Sequence, residues 1–239
     1  MCGRMNVIDN PELMQLLRKL GITLPSSDPS SAIKLPLYNL GPGDLIPVVF
    51  EQNGKQHLYP AVWWYLMQKT DTGLSPNYKV TSFNARAQRL NSSRLWQDAF
   101  RFRRCIIPAS AYYEFVSRDK KKYPYMIEPI GQALALAGLY RTWRLGERLL
   151  HSAAVITTDG HPKLTDIHEK SLPVMLPESE WAQWLDSSMN NTRHLQSVFE
   201  PRLRHDLRVT ATDPKYNSTR IKDAGCMQGV SKSRIIAAD

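Results

Sequence analysis

The residue of this 239-residue chain with the most distinctive chemistry is Cys2, in the opening Met1-Cys2-Gly3-Arg4. A cysteine is small enough for an aminopeptidase to remove the methionine before it. Cys2 would then carry an α-amine and a thiol on adjacent carbons. An α-amine with a free pKa of about 7.7–8.0 is substantially unprotonated near neutrality and adds to an aldehyde as a Schiff base, whereas lysine at about 10.4 is mostly charged. The thiol then reaches the same carbon and closes a five-membered thiazolidine, a more durable trap than an imine that water reverses. The competing reading is that Cys2 is a small buried hydrophobe, the ordinary fate of cysteine. Cys105 and Cys226 lie far away and no Cys-x-x-Cys occurs, so the cysteines suggest neither a zinc cage nor a disulfide framework.

Four further segments carry a resemblance. They are Phe83-Asn84-Ala85-Arg86-Ala87, Arg104-Cys105-Ile106-Ile107-Pro108-Ala109 running into Tyr112-Tyr113-Glu114-Phe115, Thr165-Asp166-Ile167-His168, and Pro173-Val174-Met175-Leu176. With Cys2-Gly3-Arg4 before them and Tyr216-Asn217-Ser218 after, their order and spacing resemble the SRAP family, the SOS-response-associated peptidases or abasic-site processing proteins. The resemblance implies an α+β single domain, residues 1–230, with a mainly antiparallel or mixed β-sheet or barrel-like core flanked by helices, and a C-terminal tail at 231–239. It implies an abasic-site sensor that forms a covalent thiazolidine crosslink to single-stranded DNA through Cys2 and shields the lesion.

Carried over position by position, Asn84 corresponds to the asparagine beside the cysteine, Glu114 to the acid/base glutamate and His168 to the active-site histidine. Arg4 and Arg86 correspond to phosphate-binding arginines. The chemistry is compatible. An abasic sugar is mostly a closed hemiacetal, so proton transfer must open it before an amine meets the aldehyde, and a histidine and a glutamate in a partly dry pocket supply that transfer. Asn84 cannot titrate and would orient the amine or the sugar hydroxyls. Read without the family, Glu114 could simply pair with an arginine and His168 cap a turn. Trp64-Tyr65-Leu66-Met67, Gln88, Ala111 and Lys170-Ser171-Leu172 depart from the family pattern, none of them at the four central residues. Lys170 keeps a charge for phosphate but lacks the bidentate fork of arginine. Trp63 and Trp64 are candidates for stacking on exposed bases; strand alternation would turn only one toward DNA and the other into the core.

Other N-terminal-cysteine chemistry remains open at this point. Glutamine amidotransferases also begin with such a cysteine, although their arginine-glycine-aspartate signature is absent. A peptidase that cleaves other proteins, with Cys2 and His168 as nucleophile and base, is a second alternative, against which stands proteolysis confined to the chain's own N-terminus. A non-covalent single-strand binder is a third, and it would leave Cys2 dispensable. No glycine-rich phosphate loop or ligand cluster suggests a cofactor or metal. The expected partner is single-stranded DNA containing abasic sites, bound by a monomer.

These residues must be held by a substantial core, and 42% hydrophobic residues provide one. No apolar run approaches the roughly 18 residues of a membrane span, and the opening residues lack the apolar stretch of a signal peptide, so a cytoplasmic location is expected. The formal charge of +9 favours a polyanionic partner. Leu13, Leu16, Leu17 and Leu20 have helical spacing, which predicts a helix from Pro11 to Leu20 stopped by Gly21. Further helices are expected at Arg94 to Phe100 and Glu178 to Leu185. Strands are expected around Val48-Val49-Phe50, Cys105-Ile106-Ile107, Tyr123 to Ile127, Leu134 to Leu139 and Ala153 to Thr158. Leu24 to Ser31, Gln68 to Asn77 and Ser117 to Lys122 read as loops, the last two as mobile ones, and Ser231 to Asp239 as a poorly ordered tail.

Overall fold

The computed structural model describes residues 2–23, 33–71 and 73–239. The loop expected from Leu24 to Ser31 lies outside them. Among the described residues the strands are β1 Met5–Val7, β2 Leu37–Leu40, β3 Leu45–Gln52, β4 Lys55–Val62, β5 Met67–Thr70, β6 Gly73–Pro76, β7 Asn84–Arg86, β8 Arg104–Ala109, β9 Ala111–Arg118, β10 Lys121–Pro129, β11 Leu134–Leu145, β12 Arg148–Thr158, β13 Leu172–Pro173, β14 Leu207–Ala211 and β15 Arg234–Ile236. Four short α-helices intervene: α1 Pro11–Lys19, α2 Gln97–Phe102, α3 Thr165–His168 and α4 Trp181–Leu185. No helix among the described residues is long and apolar enough to cross a membrane.

The strands form two principal sheets. In the first, the order is β15-β14-β10-β9-β1-β2, all neighbours antiparallel. In the second, β11-β8-β3-β4-β12 closes on itself because β11 also pairs with β12, giving a five-stranded barrel. Closure removes the edges that an open sheet would present to other chains. Two short strands, β7 and β13, attach to the far end of β12; β7 and β4 run parallel to it, which makes this sheet mixed. The chain crosses from barrel to open sheet at Ser110, between β8 and β9, where the Ser110 N–H donates to the Asn6 carbonyl. The fold is thus the α+β arrangement with a barrel-like core expected from the motifs.

Local chemistry explains several boundaries. Helix α1 begins with Pro11 at its first position, where the missing N–H costs nothing, and the Asn10 side chain accepts from the Leu13 N–H. It ends at Lys19, with Leu20 as the cap and Gly21 beyond it taking a φ of +71°. Its buried Leu13, Leu16 and Leu17 pack into the main core. Between β9 and β10, Asp119 and Lys120 both adopt positive φ, closing the lysine-rich hairpin in a two-residue turn.

Three expectations change. Gln68 to Asn77 is not a loop, since β5 and β6 pair from Met67↔Pro76 to Thr70↔Gly73; its turn-forming residues belong to a hairpin tip. Helix α2 starts three residues later than its pattern suggested, at Gln97. The segment 231–239 is not a loose tail: β15 adds to β14, Ile236 is buried, and the Asp239 carboxylate contacts His161 at 2.9 Å and accepts from the Leu203 N–H at 2.9 Å. Its polar composition concealed a short strand of which Ile236 alone is buried while Arg234 and Ile235 stay exposed.

Candidate active site

Cys2 sits immediately before β1 at the junction of the two sheets. Its side chain is fully buried. Burial pushes the thiol well above its ordinary range, and a hydrogen bond from the Arg4 backbone N–H offsets only part of that. The Asn84 Nδ2 donates to the Cys2 carbonyl at 2.7 Å, holding the chain at Cys2. Asn84 is itself fixed as the first residue of β7, opposite Val155 of β12. Its Oδ1 is buried and has no partner among the described residues.

Glu114 projects from β9 and is 4% exposed. Burial raises its carboxyl from 4.5 to about 7. His168, the last residue of α3, brings Nδ1 to 3.6 Å from Glu114 Oε2, and its Nε2 lies 3.1 Å from Ser171 Oγ. The 3.6 Å contact falls within ion-pair range, yet the two groups titrate the opposite way from an ion pair. Burial lowers His168 to about 4 while raising Glu114. Desolvation therefore outweighs their attraction, and the histidine is neutral at pH 7 beside a carboxyl poised between its two forms. The turn at Gly160 makes this placement possible. A Cβ there would stand 1.9 Å from the Glu169 carbonyl oxygen, so only glycine lets the chain after β12 pass so close to the end of α3.

The structure thus brings Cys2 and Asn84 into contact and Glu114 and His168 into contact, on adjoining elements of the two sheets. Arg86 lies at the other end of β7. Its Nη1 donates to the carbonyls of Lys170 at 3.1 Å and Thr158 at 3.3 Å, and its half-exposed side chain stands 3.8 Å from Asp159. Lys170 is exposed.

Arg4, Trp63 and Trp64 are placed differently from what their residue types suggested. Arg4 is buried rather than offered to a phosphate: Nη1 donates to Asn39 Oδ1 at 2.6 Å and the Tyr216 carbonyl at 2.8 Å, Nη2 to the Asn217 carbonyl at 3.1 Å, and the guanidinium stacks on Phe115. It ties the N-terminus to the 216–217 segment. Neither tryptophan presents a free face. The chain bends after β4 instead of continuing as a strand, so both turn inward, Trp63 Nε1 donating to the Phe83 carbonyl and Trp64 Nε1 to the Asn77 carbonyl.

Sequence reasoning overlooked two neighbours. Thr157 of β12, opposite Arg86 of β7, is fully buried with its Oγ1 unpartnered among the described residues. Tyr112, two positions before Glu114, has its hydroxyl in the same condition. The alternation of β9 was the available signal for Tyr112, because residues two apart share a face. No group of histidine, cysteine and carboxylate side chains among the described residues is arranged to hold a metal ion.

A family profile described as SOS response associated peptidase (SRAP) matches residues 1–219. The chain belongs to the SRAP family. It is 29% identical over 197 residues to Bacillus subtilis abasic site processing protein YoaM, covering 79% of this chain and 85% of that one. Against Escherichia coli abasic site processing protein YedK it is 27% identical over 148 residues, 60% of this chain and 63% of that one. A crystal structure of a Bacteroides thetaiotaomicron protein superposes with a TM-score of 0.76 at 16% identity, covering 96% of this chain and all of that one. That likeness concerns the SRAP fold alone.

Proposed function

We propose that this SRAP protein processes abasic sites in single-stranded DNA by covalent capture at Cys2 once Met1 is removed. The observation that carries the reading is the buried Glu114 carboxyl 3.6 Å from His168 Nδ1, with Asn84 Nδ2 holding the Cys2 carbonyl at 2.7 Å; burial raises that carboxyl to about 7 and lowers the imidazole to about 4. Such displaced values mark groups set up for proton transfer rather than for an ion pair. The names of its relatives, abasic site processing proteins, point to the same lesion.

The steps follow from the groups present. Opening the sugar hemiacetal exposes a C1′ aldehyde, and the Cys2 α-amine adds to it. Glu114 in its acid form protonates the carbinolamine oxygen, which leaves as water and yields an iminium; a carboxyl titrating near 7 is available as acid and as base in one turnover. The thiol then adds to the same carbon. Asn84 holds the Cys2 carbonyl and so limits the directions in which the amine and thiol can move. Arg86 and Lys170, on the exposed side of the cluster, are the cations suited to flanking phosphates.

The test incubates the protein, with Met1 removal confirmed by mass, with a single-stranded oligonucleotide bearing one abasic site, followed by a denaturing gel. A denaturation-resistant adduct is expected that requires both the lesion and Cys2, and is therefore absent with Cys2→Ala and with an intact oligonucleotide. Binding without any adduct would replace this reading with non-covalent recognition.

A further inference from the structure

The two tyrosines of β9 face opposite ways and are treated differently. The Tyr113 hydroxyl accepts from Asn6 Nδ2 at 2.7 Å and donates to the Cys226 carbonyl at 2.9 Å, as a buried phenol ordinarily does. The Tyr112 side chain is 1% exposed, and its hydroxyl has no hydrogen-bond partner among the described residues. Phenylalanine would fill the same space without leaving a polar atom stranded, so the hydroxyl costs stability where it stands. A persistent cost of that kind in a polar pocket points to a role outside the resting structure.

Its surroundings indicate which role. Tyr112 shares a face of β9 with Glu114 and sits opposite Met5 of β1, three residues from Cys2. Burial raises its phenol well above the ordinary value, and the charges of Glu114 and Cys2 push it further in that direction, as expected of a hydroxyl lying near both. The Cys2 thiol, itself raised by burial, stays protonated at neutral pH and needs a base before sulfur can attack. The available base is Glu114.

We propose that the Tyr112 hydroxyl relays the Cys2 thiol proton to Glu114 during thiazolidine closure, an inference that rests on the covalent capture proposed above. The Sγ–C1′ bond forms as the iminium C=N π electrons move to nitrogen, which becomes a neutral amine. The thiol proton passes to Tyr112 Oη, and the proton already on Oη passes to the Glu114 carboxylate. The iminium cation and the carboxylate anion are both neutralised, and Tyr112 ends as it began.

Tyr112→Phe in the full chain, with Met1 removed, separates the steps. Borohydride reduction traps the imine and so reports amine addition; the denaturation-stable adduct formed without borohydride reports ring closure. The variant is expected to form imine within about two-fold of wild type but to close the ring about ten-fold more slowly at neutral pH, the deficit shrinking toward about pH 9 as hydroxide takes the thiol proton directly. Its thermal midpoint is expected to equal or exceed wild type. Closure at the wild-type rate across that pH range overturns the relay. So does parallel loss of imine and closure with a lowered midpoint, which would mark Tyr112 as a packing residue. Wild type that traps neither imine nor adduct removes the covalent reading itself, a result visible before any variant is made.

Discussion

Arg104 and Glu114 are each 4% exposed, and the protein surrounds them in opposite ways. Arg104 donates to four backbone carbonyls, those of Trp184, Phe100, Arg101 and Asp186, and lies over the Trp184 ring. Its charge is dispersed over acceptors that would otherwise need water, and it binds β8 to α2 and α4. On the elements that carry Glu114 and its companions, the Tyr112 hydroxyl, Asn84 Oδ1 and Thr157 Oγ1 are buried without partners among the described residues, and the 3.6 Å contact of Glu114 with His168 is not a settled ion pair. At Arg104 every nitrogen has an acceptor, whereas in the site containing Glu114 several buried oxygens have none among the described residues.

Substitutions at the two places should separate rate from stability. Glu114→Gln keeps shape and removes the titration, so adduct formation at neutral pH, timed on denaturing gels, should slow by about 10²–10⁴-fold while the protein stays folded. Arg104→Met keeps the unbranched apolar stem and leaves those four carbonyls without the guanidinium. Chemical denaturation should show a loss on the order of 3 kcal/mol, with adduct chemistry little changed at temperatures where the variant is folded. A Glu114→Gln variant that crosslinks normally, or an Arg104→Met variant as stable as wild type, would erase the distinction.

A subtler effect concerns pH. Glu114 is raised from 4.5 to about 7, so the folded state holds its proton longer than the unfolded chain, and its contribution to stability is lost as pH rises through that window. His168 is lowered from 6.5 to about 4, so the unfolded chain holds its proton longer, and its contribution grows as pH rises from about 4 to 6.5. Between about 4.5 and 6.5 the two slopes oppose each other. Glu114→Gln should make stability rise more steeply with pH than in wild type, and His168→Gln should make it fall more steeply, both read as denaturation midpoints across that range. Identical slopes in all three proteins would mean that neither shift exists. The smallest effect belongs to the rim: Arg86→Gln should lower the salt dependence of single-strand binding by about one unit of slope, a titration series at varied salt being the measurement.

Much of this was legible in the sequence, for identifiable reasons. Helix α1 has period, cap and stop in one short stretch, and β8 is a continuous apolar run after Arg104. Cys2, Asn84, Glu114 and His168 stand in motifs whose order could be read without coordinates. What could not be read depends on direction. Arg4 looks like a phosphate ligand by type and proximity, and only the position of Asn39 and the 216–217 segment shows its charge to be spoken for. Trp63 and Trp64 were expected to diverge because a strand was expected to continue, and a bend turned both inward. Tyr112 and Thr157 are unremarkable as letters, since being unpartnered is a property of surroundings. Gly160 gave no signal because the backbone it approaches lies nine residues further along the chain.

The Cys2–Asn84 contact joins residues 82 positions apart, and β1 waits longer still for β9. At roughly 5–20 residues per second the ribosome needs about 4–16 s after Cys2 to reach Asn84. Through that interval the beginning of the chain has neither β7 nor β9 to fold against. The Met1 removal proposed above would therefore precede the elements that later seal Cys2. The distant pairing of the first strand would set that order, processing first and enclosure afterwards.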